Sequence, residues 1–222
     1  MRRFLRDNSL SIVLFTLFFL TFIVGQSLSG VRTFNADQRD HEQATISYWH
    51  YLRTGHFGEA TFENWESEFL QMGAFVLLTV WLRQRGSAES KSLDDGESVD
   101  EAPEDHAEDP HAPWPVRRGG MALRLYKNSL ALVFFALFFI SWWLHAVTGA
   151  HEYSSEQEQH GGSRVTTVQF VRTSEFWFQS LQNWQSEFLA VGSIVVLTIF
   201  LRQHGSPESK PVHASHGTTG SS

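Results

Sequence analysis

Polarity along the chain comes in long blocks rather than in the short alternation of a soluble domain. Two stretches, at about 10–28 and 130–147, are almost purely apolar. Two more, Phe69–Leu82 and Phe188–Leu201, carry no charge, and the sequence between all four is strongly polar. A mean hydropathy of −0.21 averages over this mosaic and hides it. At 1.5 Å rise per residue each long stretch reaches about 27 Å, close to the ~30 Å of a hydrocarbon core, so both are predicted to be transmembrane helices. The shorter stretches have a length more common in soluble cores or re-entrant segments, and hydropathy alone does not assign them.

The basic flanks do. Arg2, Arg3 and Arg6 precede the first stretch, and Arg83 and Arg85 follow the second. Arg117, Arg118, Arg124 and Lys127 precede the third, and Arg202 follows the fourth. The positive-inside rule puts all of these in the cytoplasm. The chain must then return between its two long spans, so Phe69–Leu82 must cross. Four spans are predicted, at about 10–28, 65–83, 130–147 and 184–202. Both termini are then cytoplasmic, and the loops at 30–62 and 150–181 lie outside.

Asn64-Trp65-x-Ser67-Glu68-Phe69-Leu70 recurs as Asn183-Trp184-x-Ser186-Glu187-Phe188-Leu189, an offset of 119 (187 − 68). The match runs on through Gly73/Gly192 and Leu82-Arg83-Gln84/Leu201-Arg202-Gln203 to Glu89-Ser90-Lys91/Glu208-Ser209-Lys210, and back to His41/His160. Asn8-Ser9-Leu10 pairs with Asn128-Ser129-Leu130 at an offset of 120 (128 − 8), so the first copy holds one extra residue, near Gly25. Polar residues match as well as apolar ones, which points to tandem duplication of a two-helix hairpin. The repeat also opposes reading the first span as a cleaved signal peptide, because its counterpart lies mid-chain.

The expected fold is therefore an all-α membrane protein of four transmembrane helices in two homologous hairpins. Both copies enter with the same orientation, as a parallel repeat about a pseudo-two-fold axis along the membrane normal. The first hairpin covers 1–91 and the second 117–210, with an acidic disordered cytoplasmic linker at 92–116 and a disordered tail at 211–222. Tyr48, Trp49, Tyr51, Phe57 and Phe62 crowd the first outer loop, and Phe170, Phe176, Trp177 and Phe178 the second. That composition predicts amphipathic helices lying in the outer interface, with an aromatic ligand pocket as the alternative.

Composition narrows the chemistry. The chain has no cysteine, which excludes disulfides, thiolate catalysis and cysteine metal sites. Its 19 Phe and eight Trp suit a lipid-facing protein with interfacial belts. The net charge of −7 owes much to the run from Asp94 to Asp109 in the linker. There is no nucleotide-binding loop, catalytic triad spacing or nucleic-acid patch. No cofactor, no enzymatic activity and no nucleic-acid partner are expected; the lipid bilayer is the expected partner.

Glu68 and Glu187 are the sharpest candidates for chemistry. Fifteen residues (83 − 68), about 22 Å of helix, separate Glu68 from the cytoplasmic edge marked by Arg83, which places it at or inside the outer hydrocarbon boundary. A carboxylate there should face the bundle interior and pair or protonate. Asn64 and Asn183 lie one turn earlier on the same faces. In the alternative, both glutamates sit in the first turn of their helices as capping groups. Trp65 and Trp184 read as interface anchors. His41 and His160 match in the repeat and are weak metal candidates, because the outer histidines lack the spacing that converging ligands need.

These motifs resemble an uncharacterised bacterial family of four-span membrane proteins, a domain of unknown function, over nearly the whole chain. The resemblance implies a bacterial cytoplasmic membrane location and brings no activity. Two functions stay open: a small permease or channel, as a homodimer, with Glu68 and Glu187 handling a proton or cation, and a structural or partner-binding membrane protein without transport activity.

Overall fold

The computed structural model describes residues 2–93 and 96–220. Asp94 and Asp95 of the expected linker and residues 221–222 of the expected tail lie outside the described residues. Among the described residues every regular element is helical. The first part of the chain forms α1 (Arg2–Asp7), α2 (Ser9–Leu20), a π-helical segment (Thr21–Ser27), α3 (Leu28–Asp40), α4 (Tyr48–Tyr51) and α5 (Gly55–Trp81). Two 3₁₀ turns, Ser98–Asp100 and Pro103–His106, then lead to α6 (Trp114–Arg118), α7 (Gly120–Tyr126), α8 (Ser129–Gln159), α9 (Thr167–Phe170) and α10 (Ser174–Phe200).

Three helices are long and apolar enough to cross a membrane: Ser9–Asp40, Ser129–Gln159 and Ser174–Phe200. Their apolar windows are hardly covered by protein, at 0%, 28% and 6% buried. Leu10, Phe15 and Phe19 on α2, and Leu189, Val196 and Phe200 on α10, are all exposed. Surfaces of this kind suit lipid as the surrounding solvent. Polar side chains within them bond back to their own helix, as Thr16 to the Ile12 carbonyl at 2.7 Å and Ser193 to the Leu189 carbonyl at 2.7 Å. α5 is as long as α10, at 27 residues. It falls outside this set because Glu59, Glu63, Glu66 and Glu68 interrupt its apolar run.

Element boundaries recur at the spacing found in the sequence. α4 and α9 begin and end 119 residues apart (167 − 48, 170 − 51), and so do α5 and α10 (174 − 55, 200 − 81). α2 and α8 begin 120 apart (129 − 9). The change of offset falls in the π-helical segment around Gly25, where a wider turn takes up one residue more than an α-helix does. α8 passes the corresponding residues as plain α-helix.

The chain divides into two compact units, residues 1–62 with 144–173, and residues 63–143 with 174–222. In the first, the segments at 35–51 and 154–170 pack by one pattern used twice. Ser47 caps α4 by accepting from the His50 N–H, and Thr166 caps α9 in a reciprocal box with Gln169. Asn35 exchanges two hydrogen bonds with the Ile46 backbone at 2.9 and 2.8 Å, and Ser154 does the same with Val165 at 3.3 and 3.0 Å. Tyr51 and Phe170, at the ends of α4 and α9, are fully buried. Each ring lies on a glycine of a long helix. A Cβ on Gly30 would meet the Tyr51 hydroxyl at 2.2 Å, and one on Gly149 would meet Phe170 Cε1 at 2.5 Å.

The two aromatic-rich segments each form a one-turn helix, α4 or α9, followed directly by the extended start of α5 or α10. Of their aromatic residues Tyr51, Phe170 and Phe176 are fully buried, while Trp49, Trp177 and Phe178 are exposed.

In the second unit, Phe176 packs edge-on against Trp142 at 5.5 Å, and Phe138 against Trp184 at 6.0 Å. Past the apolar helices, Ser87 and Thr198 share a buried hydrogen bond of 3.1 Å. The Lys210 ammonium donates to the carbonyls of Ser215, His216 and Thr218.

Candidate functional site

The predicted glutamates lie in the second unit, well inside their helices. α5 starts at Gly55 and α10 at Ser174, so Glu68 and Glu187 are each 13 residues (68 − 55, 187 − 174) past the helix start. That removes the capping alternative, because the unpaired N–H groups belong to the first turn alone. Glu68 is exposed and Glu187 half-buried.

The asparagines and tryptophans differ between copies. Asn183 Nδ2 donates to Glu63 Oε1, and Trp184 Nε1 donates to Glu66 Oε1 at 3.3 Å. Glu66 is fully buried, with Ser67 beside it, while Asn64 is exposed and Trp65 half-buried. The sequence reading passed over Glu63 and Glu66 because their copy-related residues are Gln182 and Gln185. A search for identical residues discards such positions. The available signal was three acids, Glu63, Glu66 and Glu68, at the head of an apolar run.

His41 and His160 are in the first unit. His41 Nδ1 lies 3.5 Å from Asp37 Oδ1, and His160 sits exposed just beyond α8. Among the described residues no group of three or more His, Cys, Asp or Glu is placed to hold a metal ion.

The first unit also holds a polar cavity of about 670 Å³. α3 contributes Phe34, Asp37 and Gln38, the α4–α5 junction Arg53 and His56, and α8 Glu152 and Glu156. Close backbone approach builds one wall: a Cβ on Gly55 would stand 2.7 Å from the Glu152 nitrogen and 2.8 Å from the Thr148 carbonyl oxygen. Only glycine lets the start of α5 come so near α8. At that distance the His56 backbone N–H, in the first turn of α5, lies close enough to the Glu152 carboxylate to favour its charged form.

Burial sets the proton affinities here. It pushes the Glu152 carboxyl up to about 7, aided by the nearby charge of Glu156 and, more weakly, Asp37, and opposed by the His56 N–H. Burial holds the His56 imidazole below its ordinary value despite Asp37. The Tyr51 phenol is pushed up to about 12 by burial and by Glu152. Tyr51 and His56 share a hydrogen bond of 3.1 Å, and the His56 ring stands edge-on to Phe34 at 5.5 Å. Glu152 was not foreseen because the copy-related position is Thr33. The length of α8 carried the clue: 31 residues span about 46 Å, so its polar end must project beyond a ~30 Å core.

An all-helical chain with uncovered apolar helices of membrane length is compatible with a membrane protein. It belongs to the family described as Domain of unknown function (DUF6766), which matches residues 1–221. No curated protein and no solved structure matches it.

Proposed function

We propose that this protein is a four-span membrane protein formed by duplication of a hairpin, and that it passes a proton or small cation at the paired glutamates Glu68 and Glu187. The observation that supports the reading is that α5 and α10 each carry a glutamate at the same place, Glu68 and Glu187, 13 residues past the helix start and beside their apolar runs. A carboxylate on an apolar helix is costly, and a proton or bound cation relieves that cost. The recurring boundaries of α4/α9 and α5/α10 support the duplication. The basic flanks support crossing by α5 and α10 and cytoplasmic termini in a bacterial plasma membrane.

The test is flux in proteoliposomes loaded with a pH-sensitive dye, driven by imposed proton, sodium and potassium gradients. The wild type should pass one of these ions. Glu68→Gln with Glu187→Gln should reduce the flux at least tenfold, roughly the effect of losing 1.4 kcal/mol of ion stabilisation, with helical circular dichroism unchanged. Equal flux in the double variant, or none in the wild type, overturns the reading and leaves the partner-binding alternative.

A further inference from the structure

The cavity of the first unit has the makings of a ligand site in its own right. Its volume, about 670 Å³, lies within the range of small-molecule sites. Three carboxylates line it, Asp37 from α3 and Glu152 and Glu156 from α8. Asp37 and Glu156 stand 119 residues apart (156 − 37), so copy-related acids enter one cavity from copy-related helices. Against these three acids stands Arg53, an exposed side chain. Burial disfavours the charged form of His56, which also lines the cavity. The cavity therefore attracts cations.

A second feature independently calls for a ligand. Gln38 lines the cavity and is about nine-tenths buried. Its backbone carbonyl accepts from Gln43, but its side-chain amide has no hydrogen-bond partner among the described residues. The amide therefore opens onto the cavity, free to bond water or a ligand there.

The cation is not a bare metal ion. Metal sites need several ligand atoms within about 2–2.6 Å of one point, and no such group of side chains exists among the described residues. Carboxylates spread over the wall of a wide cavity suit a molecule with separated positive charges and a flexible stem between them. Phe34 offers that stem an apolar face and an ammonium group a ring.

We propose that this cavity binds a small organic polyamine, with ammonium groups on Asp37, Glu152 and Glu156 and a hydrogen bond to the Gln38 amide. The site stands on the geometry of the first unit and does not depend on ion flux. With the topology proposed above, it opens on the outer side of the membrane.

Binding has a pH signature. Glu152 faces Glu156 on its own helix, Asp37 on α3, Tyr51 on α4, Arg53 between α4 and α5, and His56 on α5. An ammonium group beside it favours the ionised carboxylate, so the amine displaces the proton. Affinity should rise as pH increases from 6 to 8.

The experiment is isothermal titration of the detergent-solubilised full chain with spermidine. Wild type should bind it, more tightly at pH 8 than at pH 6, with a measured enthalpy that changes with buffer as a proton is released. Glu152→Gln with Glu156→Gln should weaken binding about a hundredfold, and the exposed substitution Asp37→Asn about tenfold, at 1.4 kcal/mol per factor of ten. Asp37→Asn keeps the test decisive if the α8 variant fails to fold. Arg53→Ala should leave binding equal or tighter. No heat with spermidine at millimolar concentration overturns the proposal. So does binding indifferent to Asp37→Asn, or preferential binding of succinate or of magnesium alone. Because the readout is binding in micelles with Glu68 and Glu187 intact, its failure is separate from failure of the flux reading.

Discussion

Alanine at Gly149 should destabilise the first unit by about 3 kcal/mol, the upper end for overpacking a tight core. The added Cβ falls 2.5 Å from Phe170 Cε1, 2.9 Å from Cζ and 3.1 Å from Glu59 Oε1. Phe170 is fully buried at the end of α9 and cannot swing into solvent. Its ring also packs against Tyr153 at 5.5 Å and edge-on to His145 at 6.5 Å, so relief means moving α9 off α8. For a chain of this size such a loss lowers the thermal midpoint by about 6–12 °C, measurable by circular dichroism in micelles. The cause is separable from general damage at the position. Phe170→Leu alone should be destabilising, but in the Gly149→Ala background it should recover part of the loss, with a coupling of about 1–2 kcal/mol. The first copy offers an independent check. The atom nearest a Cβ on Gly30 is the Tyr51 hydroxyl, so Tyr51→Phe should partly rescue Gly30→Ala, even though it gives up the hydrogen bond to His56. Strict additivity in both pairs would mean that the rings do not rest on the glycines.

The pairs Gly30/Tyr51 and Gly149/Phe170 also mark where a reading of the sequence stops. The all-helical fold and the long apolar helices come through because hydropathy is a property of the chain itself. The one-residue insertion near Gly25 could be placed from the change of offset, and the π-helical segment lies there. What a glycine touches twenty residues away is a tertiary fact, and neither Gly30 nor Gly149 stood out among 16 glycines. Glu68 and Glu187 drew attention because they are identical in both copies. Glu63 and Glu66 escaped because the second copy replaces acid by amide, yet they accept the Asn183 and Trp184 hydrogen bonds. The capping alternative failed for a related reason. The polar residues before Asn64 and Asn183 look like loop, but tertiary packing carries both helices back to Gly55 and Ser174. Glu152 and His56 meet only because Gly55 admits a close helix approach, which no local pattern announces.

Removing the charge at Glu152 should stabilise the protein at high pH and do little at low pH. The carboxyl ordinarily titrates at 4.5 and here is pushed up to about 7, chiefly by burial and then by Glu156. The folded state therefore holds this proton more tightly than the unfolded chain does. The linkage contribution is greatest below the unfolded value of 4.5, falls as pH rises from there to about 7, and stays at its minimum above that. A shift of this size corresponds to about 3 kcal/mol if fully realised. Glu152 is only half-buried, so screening by water leaves about 1–2 kcal/mol. Glu152→Gln keeps the size of the side chain and carries no charge. Its thermal midpoint should exceed that of wild type by about 3–6 °C at pH 8 and match it at pH 5. Equal midpoints at both values, or a variant less stable at pH 8, would mean that the carboxylate is well solvated or already compensated. Spermidine supplies the complementary control, since a bound ammonium group compensates the same charge. With saturating spermidine at pH 8 the advantage of Glu152→Gln over wild type should shrink or reverse, whereas at pH 5 Glu152 is protonated in the wild type and the amine should act on both proteins alike.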